Sequence, residues 1–206
     1  MLAATAGEWA GVDLASGGFL RSRPLGEGLR AGWEGRGDPL DVALVEIGED
    51  LEPPDPARPE AVALAGAPER IGRLARRSRQ RLLRQLATPE QPGAGVLGSR
   101  GPSIAYVDCD LASPSVALLA VSRRELSCRL DASGRPRCEF SWAGYRNSLP
   151  LLDPRALGAL SEAGQAALDA AALSRAVGGK PGYVLVGLTA VRDGHAPKAV
   201  LSILPR

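Results

Sequence analysis

Residues 126–142 read LSCRLDASGRPRCEFSW and predict two strands joined by a short loop. The loop is centred on Ser133, and Gly134 supplies the backbone freedom that a tight turn needs. In this register Cys128 faces Cys138 on an apolar side, while the opposite side carries polar and charged residues. A slip of one residue in either strand would mix the two sides, so the alternation selects this register. The stretch therefore predicts an antiparallel hairpin with two facing, buried thiols.

A second hairpin is predicted at the end of the sequence. Asp193-Gly194 is a two-residue turn signal. Pairing outward from it places residues 184–191 opposite residues 196–203, with apolar side chains on one face and a mixed set on the other. A strand that is apolar on both faces is typical of the interior of a sheet.

Between these hairpins the sequence predicts one or two helices. Asp153-Pro154 begins a helix, with Asp as the cap and Pro in the first turn. A second helical run over residues 165–177 ends at Gly178-Gly179. Strands followed by helices and again by strands predict an α+β fold, with a mostly antiparallel sheet built from hairpins.

The chain has 206 residues and a formal net charge of +2, which predicts a single α+β domain over residues 1–206. Three parts are distinguished within it. Residues 1–66 form an extended part rich in Gly and Pro, with strand-like stretches at 18–23 and 41–47. An arginine-rich helix spans 68–88, and residues 103–206 are rich in β structure.

Composition favours a cytoplasmic location over a secreted or a membrane-spanning protein. Residues 1–15 lack the features of a secretory signal, and no apolar run approaches the ~20 residues of a membrane span. Three widely spaced cysteines predict neither a disulfide framework nor a CxxC metal site. We therefore expect a cytoplasmic protein without a membrane partner. Only 2 of its 25 basic residues are lysine, a bias typical of GC-rich codon usage, so an abundance of arginine is not by itself evidence for phosphate binding.

The middle helix is the main candidate for a binding surface. Residues 70–84 contain seven arginines and no acid. At 100° per residue, Ile71, Leu74, Leu82 and Leu86 fall in an apolar stripe about 120° wide that predicts burial. The arginines predicted to contact a partner are Arg70, Arg73, Arg76, Arg77, Arg81 and Arg84. That partner is either a nucleic acid or an acidic protein surface.

A structural explanation for the same arginines stays open. Residues 46–60 contain Glu46, Glu49, Asp50, Glu52, Asp55 and Glu60 against a single arginine, Arg58. This acidic segment is expected either to fold back and neutralise the helix or to leave it free for a partner. Coverage of Arg73, Arg77 and Arg84 by these acids would remove the partner hypothesis.

An alternative function comes from the stretch SIAYVDCD, residues 103–110. Alternation along a strand places Asp108 and Asp110 on one face, where two carboxylates can hold Mg²⁺. The spacing resembles the metal-binding element of primase-polymerases and other metal-dependent nucleotidyltransferases. That resemblance covers about eight residues and implies a further carboxylate, for which Glu139 is the candidate. It implies a metal-dependent phosphotransfer enzyme.

Three further cations, Arg146, His195 and Lys198, are possible anion contacts, although their turn-like surroundings are more typical of surface hairpins. No catalytic residue and no cofactor other than the Mg²⁺ of the alternative is predicted. The sequence favours a small binding protein that contacts an acidic partner through its arginine-rich helix.

Overall fold

The computed structural model describes residues 1–5, 8–23, 38–49, 52–164 and 166–206. Within these ranges the fold is mixed α+β, with mostly antiparallel sheets and three helices. The helices are α1 (Arg76–Leu86), α2 (Pro154–Ala163) and α3 (Ala170–Ala176). The strands are β1 (Ala3–Thr5), β2 (Glu8–Val12), β3 (Phe19–Ser22), β4 (Asp41–Leu44), β5 (Ala61–Val62), β6 (Glu69–Arg73), β7 (Ser103–Ala105), β8 (Val116–Ala120), β9 (Ser127–Leu130), β10 (Pro136–Trp142), β11 (Tyr145–Pro150), β12 (Ala167–Leu168), β13 (Pro181–Leu188) and β14 (His195–Pro205).

These strands form four sheets. The N-terminal sheet has the order β1-β2-β3-β5, in which only the β3–β5 pair is parallel, and β4 pairs separately with β6. The central sheet has the order β7-β14-β13-β8, and the outer sheet the order β11-β10-β9-β12. None of the three helices is long and apolar enough to cross a membrane.

Both faces of the central sheet are buried. Along β13, Val184 and Val186 join a core with the outer sheet, α2 and α3, while Tyr183 and Leu185 join a core with the N-terminal sheet and α1. This arrangement confirms the prediction that the strand lies inside a sheet. It also explains the apolar run, because each alternate side chain enters a different core.

The register of the β9–β10 hairpin is as predicted. Cys128 lies opposite Cys138, and Leu130 lies opposite Pro136. Both thiols are fully buried, together with Phe140 on the same face. The apolar alternation therefore determined the pairing, as expected for a strand with one buried face.

The C-terminal hairpin matches its predicted register at both ends but not in the middle. Arg192 pairs with His195 and Val184 with Ile203, whereas Val186 pairs with Val200 instead of Leu201. A bulge in β14 causes this shift of one residue. The bulge places Val200 and Ile203 in the core on one face of the sheet and Leu201 in the core on the other face. All three apolar side chains are therefore buried.

The first helix before this hairpin begins as predicted, and the second is shorter than predicted. Asp153 caps α2 by accepting hydrogen bonds from two backbone N–H groups, and Gly164, in a left-handed conformation, follows the last helical residue, Ala163. The predicted helix over 165–177 is wrong in its first part, since Ala167 and Leu168 pair with β9 as a strand. Asp169 then caps α3. Gln165 lies outside the described residues.

The arginine-rich helix is also shorter than predicted. Residues 69–73 form strand β6 against β4, and the helix begins only at Arg76. Gly72, a poor helix former, lies in this strand, and its backbone groups gain ladder hydrogen bonds there. The buried stripe differs accordingly. Leu83 is fully buried, Leu74, Leu82 and Leu86 are half-buried, and Ile71 is 61% exposed.

In the part predicted as extended, 1–66, the stretches at 18–23 and 41–47 contain β3 and β4. Residues 24–37 of that part lie outside the described residues.

Candidate nucleic-acid interface

Helix α1 presents four arginines that face solvent. Arg76, Arg77, Arg81 and Arg84 are exposed, and in the described ranges none of them forms an ion pair. We call these four residues the arginine face. No acidic residue occurs anywhere in the helix. Among the described residues, no acidic side chain therefore compensates the positive charge of the arginine face.

Packing on the opposite side of α1 fixes the orientation of this face. Leu83 inserts into the core shared with β8, β13 and β14, and Leu86 and Ala87 pack against the same core. Arg79 lies one turn before Leu83 and is half-buried, with its Nε buried and without a hydrogen-bond partner. The helix is therefore docked by its leucines, and its remaining surface is a ridge of guanidinium groups.

A shallow groove runs along this ridge. It has a volume of about 300 Å³ and is lined by Arg77, Gln80, Arg81, Arg84 and Gln85. The lining combines cationic guanidinium groups with neutral amides, which are hydrogen-bond donors toward phosphate or carboxylate oxygens. The groove is suited to an anion that is extended along the helix.

Two arginines from the predicted set do not belong to the helix. Arg70 and Arg73 lie on β6, where the bulge in the β4–β6 pair places both beside Asp41 on the neighbouring strand. The Nε of Arg70 donates to an Asp41 carboxylate oxygen at 2.8 Å, and the Nε of Arg73 lies 3.7 Å from the other oxygen. Asp41 is 5% exposed, so these two arginines compensate a buried carboxylate. Their placement on the helix was wrong.

The described acids of residues 46–60 form no ion pair with the arginine face. Glu52 pairs with Arg23 at 2.6 Å, and Glu60 accepts hydrogen bonds from the backbone and hydroxyl of Ser115. Asp55 accepts a hydrogen bond from the backbone of Ala57. Between the described acids of this segment and α1 the structure shows no ion pair. Asp50 lies outside the described residues.

The residues of the metal-dependent alternative do not come together. The strand predicted to hold Asp108 ends at Ala105, so Asp108 belongs to a 3-10 turn and Asp110 to the loop after it. Both are exposed, and the Asp110 carboxylate caps a backbone N–H of that loop. Glu139 lies on β10 in the outer sheet. Within the described ranges no three metal-ligating side chains form a group that could hold an ion.

Glu139 is instead part of a cross-strand charge cluster. Arg129 on β9 and Arg146 on β11 both donate to its carboxylate. The hydrogen bond from Arg129 is the main reason why the pKa of Glu139 lies below its usual range, and Arg146 adds to it. Arg146, predicted as a possible anion contact, thus has an acidic partner within its own sheet.

The other two possible anion contacts, His195 and Lys198, differ in how far they are buried. His195 is exposed beside the turn, whereas Lys198 is 1% exposed. The Lys198 ammonium donates to the backbone oxygens of Ser99 and Gly101, and burial lowers its pKa to about 8. The side chain of Lys198 therefore fastens the loop between α1 and β7 to the central sheet.

A second basic surface lies outside all residues predicted from the sequence. It is a cleft lined by four cationic side chains, Arg123, Arg124, Lys180 and Arg206. These residues come from three separate parts of the chain, so no spacing in the sequence relates them. The pairing of β8 with β13 and of β13 with β14 brings the three parts together.

Comparison with known proteins gives no match: no family model, no curated protein and no solved structure is similar to the chain.

Proposed function

We propose that the protein binds the phosphate backbone of a nucleic-acid duplex through the arginine face of α1, without reading its sequence. The observation behind this proposal is that four exposed arginines on one helix have no acidic partner in the described ranges. Each arginine that meets a phosphate displaces condensed counterions, and this release of ions is the main source of non-specific affinity. The guanidinium group also matches phosphate geometry in a bidentate manner.

The spacing of the arginines supports an extended polyanion. Arg77, Arg81 and Arg84 are four and then three residues apart, so they lie on one side of the helix. At 1.5 Å per residue, the first and last Cα atoms are separated by about 10 Å along the axis. Three guanidinium groups over this length contact successive phosphates of one backbone more readily than a single small anion.

The chemistry of the same surface favours nucleic acid over an acidic protein. Protein interfaces have an apolar centre rich in aromatic residues, surrounded by a polar rim. The exposed side of α1 has no aromatic residue, and its leucines are buried or half-buried against the core. The lack of aromatic residues in the helix also gives bases nothing to stack on, which favours contact with a duplex backbone over binding of unpaired bases.

The test is the affinity for a fluorescent duplex of about 24 base pairs, measured by anisotropy at several salt concentrations. Replacing Arg77, Arg81 and Arg84 together by Gln should reduce the slope of log K against log salt by about 2–3, since each lost phosphate contact contributes about 0.9. A matched control replaces three exposed arginines elsewhere by Gln: Arg135, Arg175 and Arg192. The control lowers the net charge equally and should leave most of the slope intact.

Two outcomes would contradict this function. An equal loss in the control variant would show that binding depends on overall charge and not on α1. Tighter binding to poly-glutamate than to the duplex at the same salt would identify an acidic protein as the partner. Circular dichroism of each variant shows whether the fold is retained.

A further inference from the structure

The basic cleft lies at the end of edge strand β8. It has a volume of about 830 Å³ and is larger than the groove on α1. Of the described residues, the charged ones that line it are Arg123, Arg124, Lys180, Arg206 and one acid, Glu90. The cleft therefore combines a strong excess of positive side chains with space for several atoms of a ligand.

Backbone oxygens, not carboxylates, hold two of these arginines. Arg123 donates to the carbonyl of Ala170 at 3.5 Å, and Arg206 donates to the carbonyl of Val121 at 3.3 Å. A carbonyl orients a guanidinium group but leaves its net charge in place. Among the described residues, no acid forms an ion pair with any of the four cations in the cleft.

Gly182 makes the position of Arg206 possible. A Cβ atom at residue 182 would overlap the side chain of Arg206, which lies across this part of β13. The missing side chain thus lets the Arg206 guanidinium reach the Val121 carbonyl beside the cleft. The arrangement gives a way to displace Arg206 without removing its charge.

The cleft lies near the C-terminal end of helix α1, along the edge of the central sheet. Ala87, directly after the helix, forms a bridge with Leu118 of β8, and the N–H of Thr88 donates to the Leu118 carbonyl at 2.7 Å. Two residues further along the strand, about 7 Å, Ala120 lines the cleft. The C-terminal end of α1 and the cleft are therefore neighbours on one edge.

We propose that the cleft is a second phosphate-binding site, which takes the backbone of the same duplex beyond the end of α1. This inference rests on the proposed function, since the arginine face supplies the first contact. The two sites together form a basic track along α1 and β8. A duplex long enough to reach both sites should bind more tightly, because the second contact is intramolecular.

The experiment compares three variants on the 24-base-pair duplex: the α1 triple variant, the double variant Arg123→Gln/Arg124→Gln, and their combination. The cleft variant should reduce the salt slope by about 2, and the combination by about 4–5. Gly182→Ala should weaken binding several-fold although it removes no positive charge, because it displaces Arg206. Its circular dichroism and melting temperature report whether β13 is intact.

The outcomes separate the two proposals. If the α1 variant lowers the slope and the cleft variant does not, the cleft is not part of the interface and only this inference is wrong. If the cleft variant lowers the slope and the α1 variant does not, the proposed function of α1 is wrong and the cleft binds alone. Inorganic pyrophosphate is the probe for a small-ligand site. If it binds wild type as tightly as the duplex does, and fails to bind the cleft variant, the cleft is a site for small phosphates and the proposed duplex track is wrong.

Discussion

Phe140 and Ile71 are both large apolar residues on β-strands, but Phe140 is fully buried and Ile71 is 61% exposed. The first lies in the core between the central and outer sheets, and the second on the bulged strand β6 near the N-terminal sheet. The same contrast extends to their surroundings. Apolar side chains are enclosed on both faces of the central sheet, whereas Leu14, Leu44 and Ile47 are each more than half exposed.

The open packing around Ile71 has a definite shape. The four exposed residues line a cavity of about 520 Å³ between the β4–β6 pair, the N-terminal sheet and α1. Two buried polar atoms of residues in its lining, Trp9 Nε1 and Asp41 Oδ1, have no hydrogen-bond partner. From this difference in the described residues we expect stability to be concentrated in residues 103–206, where apolar side chains are enclosed on both faces of the central sheet.

The largest expected effect is the removal of a side chain from the better-packed region. Phe140→Ala should lower the free energy of unfolding by about 3–5 kcal/mol, because it removes transfer energy and leaves a cavity. The matched change Ile71→Ala should cost about 0.5 kcal/mol or less, since most of that side chain is already in water. Urea denaturation measures both. Equal losses would show that the two regions are packed alike.

A second comparison uses one buried carboxylate from each region. Asp153 is 0% exposed and accepts hydrogen bonds from Arg155 and from the backbone N–H of Ile203, in addition to capping α2. Asp153→Ala should cost about 3–5 kcal/mol, because buried donors lose their acceptor. Asp41→Ala should cost about 1–2 kcal/mol, because Arg70 and Arg73 are half exposed and can be hydrated.

Denaturation of these two variants under the same conditions is the check. A larger loss for Asp41→Ala than for Asp153→Ala would reverse the assignment of stability to the C-terminal region.

A third expected effect is a dependence on pH at Lys198, where the central sheet holds the loop that follows α1. Burial lowers the pKa of this lysine to about 8, against about 10.4 in an unfolded chain. Below pH 8 both states are protonated, so the folded state bears the full cost of the buried charge. Between about pH 8 and 10 the folded state releases its proton first, and its stability therefore rises relative to a variant without the amine.

The measurement is the difference in unfolding free energy between wild type and Lys198→Met, at pH 7 and at pH 9.5. The difference should move in favour of wild type at the higher pH, while other titrating groups cancel because both proteins contain them. Lys180→Met, at an exposed lysine, is the control and should show no such change. A constant difference for Lys198→Met would show that this lysine keeps its charge across the range.

The contrast between the two regions also explains how far the sequence alone could predict the fold. In the β9–β10 hairpin, turn residues and strict alternation agree, and the pairing of Cys128 with Cys138 follows from them. In β14 the same reasoning predicts a pairing register that is wrong by one residue over part of the strand. Both faces of this strand are buried, so a bulge at Leu201 still leaves the apolar side chains covered. Local pattern cannot detect a bulge when both registers bury apolar side chains.

Around α1 the failure has a different cause. Residues 69–73 follow a helical pattern, but strand β4 lies far away in sequence and supplies the hydrogen bonds that make them a strand. A contact of this kind overrides local propensity. The exposure of Arg76, Arg77 and Arg84 could be predicted from the helical periodicity, which places them opposite the apolar stripe. The cleft could not be predicted, because strand pairing joins its residues from separate parts of the chain.

The facing thiols of Cys128 and Cys138 provide a direct readout of how often the outer sheet opens. The hydrogen bond between them and their burial raise the pKa of Cys138, so in the closed sheet it is both shielded and protonated. Only the thiolate attacks an alkylating reagent, and labelling therefore requires the strands to separate. The labelling rate under native conditions thus measures the free energy of that local opening. Cys109 is half-buried in a loop, and its separate labelling rate reports on the opening of a different part of the chain.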